Sequence, residues 1–237
     1  MHPFTGIQIT QKGIDYLCQY VDEVRRVIGY EIPLAVDHFG HIGLESCIRL
    51  GQALDPFTLA WYEDMLPWQF TDQYVQLSEA VNTPICTGED IYLKENFMPL
   101  LEARAVSVIH PDLASSGGIL ETQRIGDAAQ ANGVAMAMHM AGSPIAALSS
   151  VHCAAATENF LVLENHSVDH PKWNELIEGL PIPLIQDGYI QVPETPGLGF
   201  TDLNEDMIRE HIDPDRPGFF EPTTEWDAER SHDRLWS

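Results

Sequence analysis

The sequence predicts an α/β fold in which short parallel strands alternate with covering helices. Six apolar runs of four or five residues recur from about residue 30, and amphipathic stretches of helical period separate most of them. Each run is also closed by an ionisable residue at nearly constant spacing. Runs with little polar alternation are expected where both sheet faces are covered, and parallel neighbours require crossover helices.

In chain order, a leading helix is predicted over 10–28, closed by Gly29. The apolar runs follow: Pro33-Leu34-Ala35-Val36, Leu59-Ala60-Trp61-Tyr62, Pro84-Ile85-Cys86-Thr87, Val106-Ser107-Val108-Ile109, Val134-Ala135-Met136-Ala137-Met138 and Phe160-Leu161-Val162-Leu163. Helices are predicted between them over 44–54, 71–81, 119–132 and 144–157, with Gly133 as a C-terminal cap. After Glu164 the repeat stops. Asp187-Gly188 between apolar residues reads as a tight hairpin turn, and a short helix is expected near 204–211.

Composition sets the outer bounds. The 237 residues are 44% hydrophobic and 20% charged, ordinary for a globular domain with one sizeable core. No apolar run approaches the roughly 18 residues of a membrane span, and Met1-His2-Pro3-Phe4 does not resemble a signal peptide. Cys18, Cys47, Cys86 and Cys153 form no CxxC pair, which favours buried thiols in a reduced, cytoplasmic protein. Twelve basic against 36 acidic residues give a net charge of −24, so nucleic acid and anionic membranes are excluded as expected partners. The acids of 202–233 are dispersed and form no long block, as on a solvated surface. An anionic substrate would then need a cation in its site.

The strand ends carry the chemistry. Asp37, Glu63, Glu89, Asp112, His139 and Glu164 follow successive runs at separations of 26, 26, 23, 27 and 25 residues. In a (β/α) barrel such ends point into one mouth. Three consecutive ends span about 10 Å, so Asp37, Glu63 and Glu89 can converge on one ion. Hard oxygen donors without Cys or His among them favour Mg²⁺ over Zn²⁺. On the next two strands, Asp112 beside His139 would fix the imidazole tautomer and make a general base. An open doubly wound sheet also fits the βα count, but leaves the carboxylates on three consecutive strands unexplained.

Several motifs, in order, resemble the enolase superfamily over about residues 10–200: Trp61-Tyr62-Glu63-Asp64, Gly88-Glu89, and His110-Pro111-Asp112-Leu113 followed by Gly117-Gly118-Ile119. The mandelate racemase-like branch matches best, in particular its galactonate- and mannonate-type acid-sugar dehydratases. Pro196-Gly197-Leu198-Gly199 resembles the stretch that closes such barrels. The resemblance implies a TIM-type (β/α) barrel, with Asp37, Glu63 and Glu89 as Mg²⁺ ligands and Asp112–His139 as the base dyad. Glu164 would hydrogen-bond the substrate or its enolate. The implied reaction is dehydration of a sugar acid, through an enediolate, to a 2-keto-3-deoxy acid. A small-molecule sugar acid is the expected partner, and a homo-oligomer the expected full-length form.

The sequence departs from that pattern twice. The galactonate-type acid is a histidine two residues after the first metal ligand, where this chain has Phe39; His38 and His41 flank it as candidates, and His139 can serve both roles. Six strands are also expected where a closed barrel has eight, with the family's capping domain missing. Residues 1–200 are therefore expected to form a partial barrel catalytic domain, and 201–237 an acidic tail packing on it. Open edges at the first and last strands imply that the chain by itself self-associates and turns over no sugar acid. The alternatives are a racemase or cycloisomerase of the same superfamily, or a catalytically incompetent fragment or metal-binding module.

Overall fold

The structure, a computed structural model, describes residues 8–37, 42–167, 169–170, 172–213 and 215. Its contacts gather the chain into two compact units, Met1–Asp169 and His170–Ser237.

The first unit opens with α1 (Gln11–Ile28), whose start is set by Thr10 accepting from the Gly13 amide. Gly29 ends it at φ 71°, a conformation open to glycine at little steric cost. Arg25 in its last turn is buried, and its guanidinium donates to the carbonyls of Phe57, Gly29, Ile32 and Thr58. These bonds tie α1 to the chain entering the first two strands.

Six parallel strands form one sheet in sequential order: β1 (Val36–Asp37), β2 (Tyr62–Glu63), β3 (Ile85–Thr87), β4 (Val108–Ile109), β5 (Ala135–Met138) and β6 (Phe160–Leu163). The regular strands are shorter than the apolar runs, yet pairing begins earlier. Ala60 N donates to Leu34 O at 2.8 Å and Ser107 N to Ile85 O at 2.9 Å. Between the strands lie α2 (Leu44–Leu54), α3 (Thr71–Ala80), α4 (Lys94–Glu102), α5 (Leu113–Ser116), α6 (Gly118–Ala131) and α7 (Pro144–Ala155). The predicted helices appear within two residues of their expected bounds. Helix α4 was not expected, because Pro99 lies inside it. Phe97, Leu100 and Leu101 are fully buried at helical spacing, and that packing outweighs the proline penalty.

The main core of this unit is an apolar cluster that includes Leu50, Tyr62, Leu77, Ile85, Phe97, Leu101, Ile125 and Met136, and a smaller one gathers Cys86, Val108 and Ala137. They leave one end of the sheet to polar groups, so the strand ends and not the core carry the ionisable residues. The cysteines are unbridged, with Cys47, Cys86 and Cys153 buried and Cys18 half-buried.

In the second unit, β7 (Ile177–Glu178) pairs antiparallel with β8 (Asp202–Leu203), a pairing absent from the sequence expectation. The expected hairpin is present: Gln186 and Tyr189 exchange backbone bonds of 2.9 Å around Asp187 and Gly188, both at positive φ. The expected short helix is α8 (Glu205–His211), capped by Asn204 accepting from the Met207 amide. Among the described residues no helix is long and apolar enough to cross a membrane.

Candidate active site at the strand ends

The six strand-end residues lie where the parallel pairing places them. Asp37 and Glu63 are register partners across β1 and β2, and Asp112 and His139 form a parallel bridge beyond β4 and β5. His139 N also donates to Pro111 O at 3.3 Å. The two side chains therefore emerge side by side from neighbouring strands.

Their side chains are in direct polar contact. His139 Nδ1 lies 2.7 Å from Asp112 Oδ2, while Asp112 Oδ1 accepts from the Ala114 amide at 2.7 Å. Asp112 is thus both the N-cap of α5 and the partner of His139. With Nδ1 committed to Asp112, Nε2 faces Glu89 Oε2 at 3.2 Å and Glu164 Oε2 at 4.0 Å. Burial acts to lower the His139 pKa, but the Asp112 hydrogen bond and the charges of Glu89 and Glu164 outweigh it and hold it up at about 9. Burial also acts to raise Asp112; its bonds from His139 and Ala114 prevail and lower it. Glu164 is further held by His166, whose Nε2 lies 2.9 Å from Glu164 Oε1.

Glu63 is the most buried carboxylate of the predicted set, at 3% exposure. Trp61 Nε1 donates to its Oε2 at 2.5 Å, and its Oε1 makes no hydrogen bond. Burial pushes the Glu63 carboxyl up to about 7; His110 and Trp61 oppose this, and the nearby charges of Glu164 and Asp37 add to it. A buried carboxylate with an oxygen that makes no hydrogen bond, among like charges, is the environment a cation would relieve.

Three groups of side chains bring ligand atoms within 4.8 Å of one another among the described residues: Glu63–Cys86–His110, Asp64–Glu89–His110 and His139–Glu164–His166. Glu63 and Glu89 thus fall in two groups that share His110. Asp37, at the end of β1, acts on Glu63 through its charge. His38 and His41 lie outside the described residues. Sequence reasoning passed over His110, Asp64 and His166. Residues two apart on an extended chain share a face, and Trp61/Glu63, His110/Asp112 and Glu164/His166 are such pairs. That period was a readable signal for His110 and His166. Asp64 breaks it, because its φ of 44° turns a second consecutive carboxylate inward.

Beside Asp64 and Thr87 opens a cavity of about 350 Å³, also lined by Trp68, Gln69, Asp90 and Tyr92. It adjoins the carboxylate cluster at the ends of β2 and β3.

Residues 2–207 match the family model for the enolase C-terminal domain-like proteins. The chain belongs to the enolase C-terminal domain-like family. Within reach of this family assignment are named dehydratases. The chain is 37% identical over 200 residues to a D-xylonate dehydratase of Haloferax volcanii, covering 84% of this chain and 48% of that protein. It is 29% identical over 209 residues to a D-galactonate dehydratase of Ralstonia pickettii, covering 86% and 54%. Among solved structures, a mandelate racemase/muconate lactonizing enzyme-like protein of Rubrobacter xylanophilus superposes with a TM-score of 0.86 at 34% identity, covering 91% of this chain and 55% of that one. The chain spans about half the length of the curated relatives it matches. The six-stranded parallel sheet is the corresponding part of the enolase-superfamily barrel.

Proposed function

We propose that this protein is a Mg²⁺-dependent hydro-lyase that removes water from a sugar acid to give a 2-keto-3-deoxy acid. The relatives are about twice as long as the part matched, and the reading concerns the whole protein. The observation that carries it is the Asp112–His139 pair, with Nδ1 held at 2.7 Å and Nε2 turned toward Glu89 and Glu164. The names of the similar proteins, which include D-xylonate and D-galactonate dehydratases, support the same reaction class.

Asp37, Glu63 and Glu89 are the residues that would hold the divalent ion. The buried Oε1 of Glu63, which makes no hydrogen bond, and the charge crowding around it fit such a group. When bound, the ion supplies Lewis-acid stabilisation of the negative charge that develops on the substrate carboxylate. His139 Nε2 takes the proton α to that carboxylate, and Asp112 holds the tautomer that leaves Nε2 free to do so. Glu164, positioned by His166, hydrogen-bonds the substrate near the same carbon. The β-hydroxyl then leaves as water with a proton from His38, His41 or His139, and the enol tautomerises to the ketone. The cavity beside Asp64 offers aromatic and polar walls to the hydroxylated tail of such a substrate.

The test is product analysis. Full-length protein with Mg²⁺ and a panel including D-xylonate and D-galactonate is expected to form a 2-keto-3-deoxy acid. Recovery of a C2 epimer without keto acid would replace dehydration with racemisation. No change in any sugar acid, with Mg²⁺ bound, would reject the reading.

A further inference from the structure

His110 is 2% exposed and lies between two carboxylates, yet neither ring nitrogen makes a hydrogen bond. Its Nδ1 is 3.3 Å from Glu63 Oε1 and its Nε2 is 3.5 Å from Asp64 Oδ2. Charge-assisted bonds between such groups close to about 2.7–2.9 Å, so these pairs stop short. The spacing suits two donors on one ion, because ligands about 2.1 Å from a metal and at right angles sit about 3 Å apart. Both nitrogens are in ion-pair range of a carboxylate but neither contact closes to a hydrogen bond; buried polar atoms in that state call for an explanation, and a bound ion supplies one.

The backbone brings three donors together there. Ligand atoms of Asp64, Glu89 and His110 all lie within 4.8 Å of one another. On an extended strand Glu63 and Asp64 would face opposite sides. The left-handed φ of 44° at Asp64 brings both inward, a strain that must be held by its surroundings. Thr87 Oγ1 donates to Asp64 Oδ1, while Oδ2 is the oxygen turned to His110. Gly88 lets the chain that carries Glu89 lie against His110, since a Cβ there would meet His110 N at 3.0 Å.

We propose that Asp64, Glu89 and His110 form a second cation position, adjoining the Asp37–Glu63–Glu89 set and sharing Glu89 with it. The imidazole donor selects a first-row transition ion of the Mn²⁺, Fe²⁺, Co²⁺ or Zn²⁺ class over Mg²⁺. The inference rests on the proposed function only through the shared Glu89.

Mn²⁺ is the probe, read by pulsed electron paramagnetic resonance with Mg²⁺ in excess. Bound Mn²⁺ is expected to show coupling to one histidine nitrogen, changed by ¹⁵N-histidine labelling. The coupling should persist in His139→Asn and vanish in His110→Gln, with at least tenfold weaker Mn²⁺ binding in the latter. If His110→Gln does not fold, the labelled wild type and His139→Asn decide alone. Bound Mn²⁺ without nitrogen coupling, or coupling lost with His139→Asn, would overturn this site and leave an all-oxygen centre intact. Failure to bind either Mn²⁺ or Mg²⁺ would reject both readings.

Discussion

His139 Nδ1 lies 2.7 Å from Asp112 Oδ2, on adjacent strands whose ends are themselves bridged in parallel. The geometry is fixed by backbone pairing, so neither side chain needs to search for the other. Asp112 gains a further anchor by capping α5.

In the metal-free protein His139 should therefore titrate at about 9 against an ordinary 6.5, measurable by NMR of its ring protons. Its folded pKa is raised, so its contribution to stability is present below 6.5 and is lost as pH rises through about 9. Asp112→Asn should bring the pKa down by about one unit or more. A divalent ion on Glu89 should lower it as well, by cancelling one of the charges that hold it up. An unchanged value in Asp112→Asn would remove Asp112 from its proposed role.

Glu63→Gln should act in opposite directions with and without metal. Loss of a group that hydrogen-bonds a metal's ligand typically costs about 10–100-fold in metal affinity, so loss of a ligand itself should cost at least about 100-fold for Mg²⁺. The Glu63 carboxyl is raised from 4.5 to about 7, so its ionisation costs stability as pH rises through about 7. At pH 8 without metal, Glu63→Gln should be the more stable protein, by on the order of 1–3 kcal/mol. Calorimetry and denaturant melts read the two effects separately.

Asp55 offers a purely structural check. Its carboxylate accepts from the Asn82 and Thr83 amides, from Asn82 Nδ2, from Thr83 Oγ1 and from Tyr62 OH. Burial acts to raise Asp55, but these bonds prevail and lower it. The stability it contributes is present above the unfolded value near 3.8 and is lost as pH falls through the depressed folded pKa. Asp55→Ala should cost about 2–3 kcal/mol in denaturant melts near neutral pH. A loss under about 0.5 kcal/mol would place it with ordinary surface substitutions.

The net charge of −24 predicts a salt-dependent fold. Like charges repel across the compact state, and the screening length shrinks from about 10 Å at 0.1 M to about 3 Å at 1 M salt. The melting temperature should rise by several degrees between 0.1 and 1 M KCl. A flat or falling curve would mean that paired charges dominate the surface.

Much of this architecture was legible because hydrophobic period and strand-end spacing report packing directly. Helix 44–54 matches its predicted bounds, and all six apolar runs reach the sheet. What escaped depends on tertiary context. Helix α4 forms around Pro99 because Phe97, Leu100 and Leu101 find a core. The β7–β8 pairing joins Ile177 to Leu203 and Glu178 to Asp202, and the one turn signal read between them, Asp187-Gly188, closes a separate local hairpin. Asp64 joined the site only through a left-handed backbone that no residue type announces. His110 was legible, two residues before Asp112 and so on the same strand face, but Asp112 is the ionisable residue farther along that strand end.

The most direct test of the account follows the α-proton. Full-length protein with Mg²⁺ and a sugar acid in D₂O is monitored by NMR for loss of the C2 proton signal and deuterium in the products. Wild type should exchange or eliminate that proton, His139→Asn should abolish both, and Asp112→Asn should slow them by about 10⁴-fold, as in other carboxylate–imidazole pairs. Exchange that survives in His139→Asn would contradict the assignment of the base, and with it the central reading of the site.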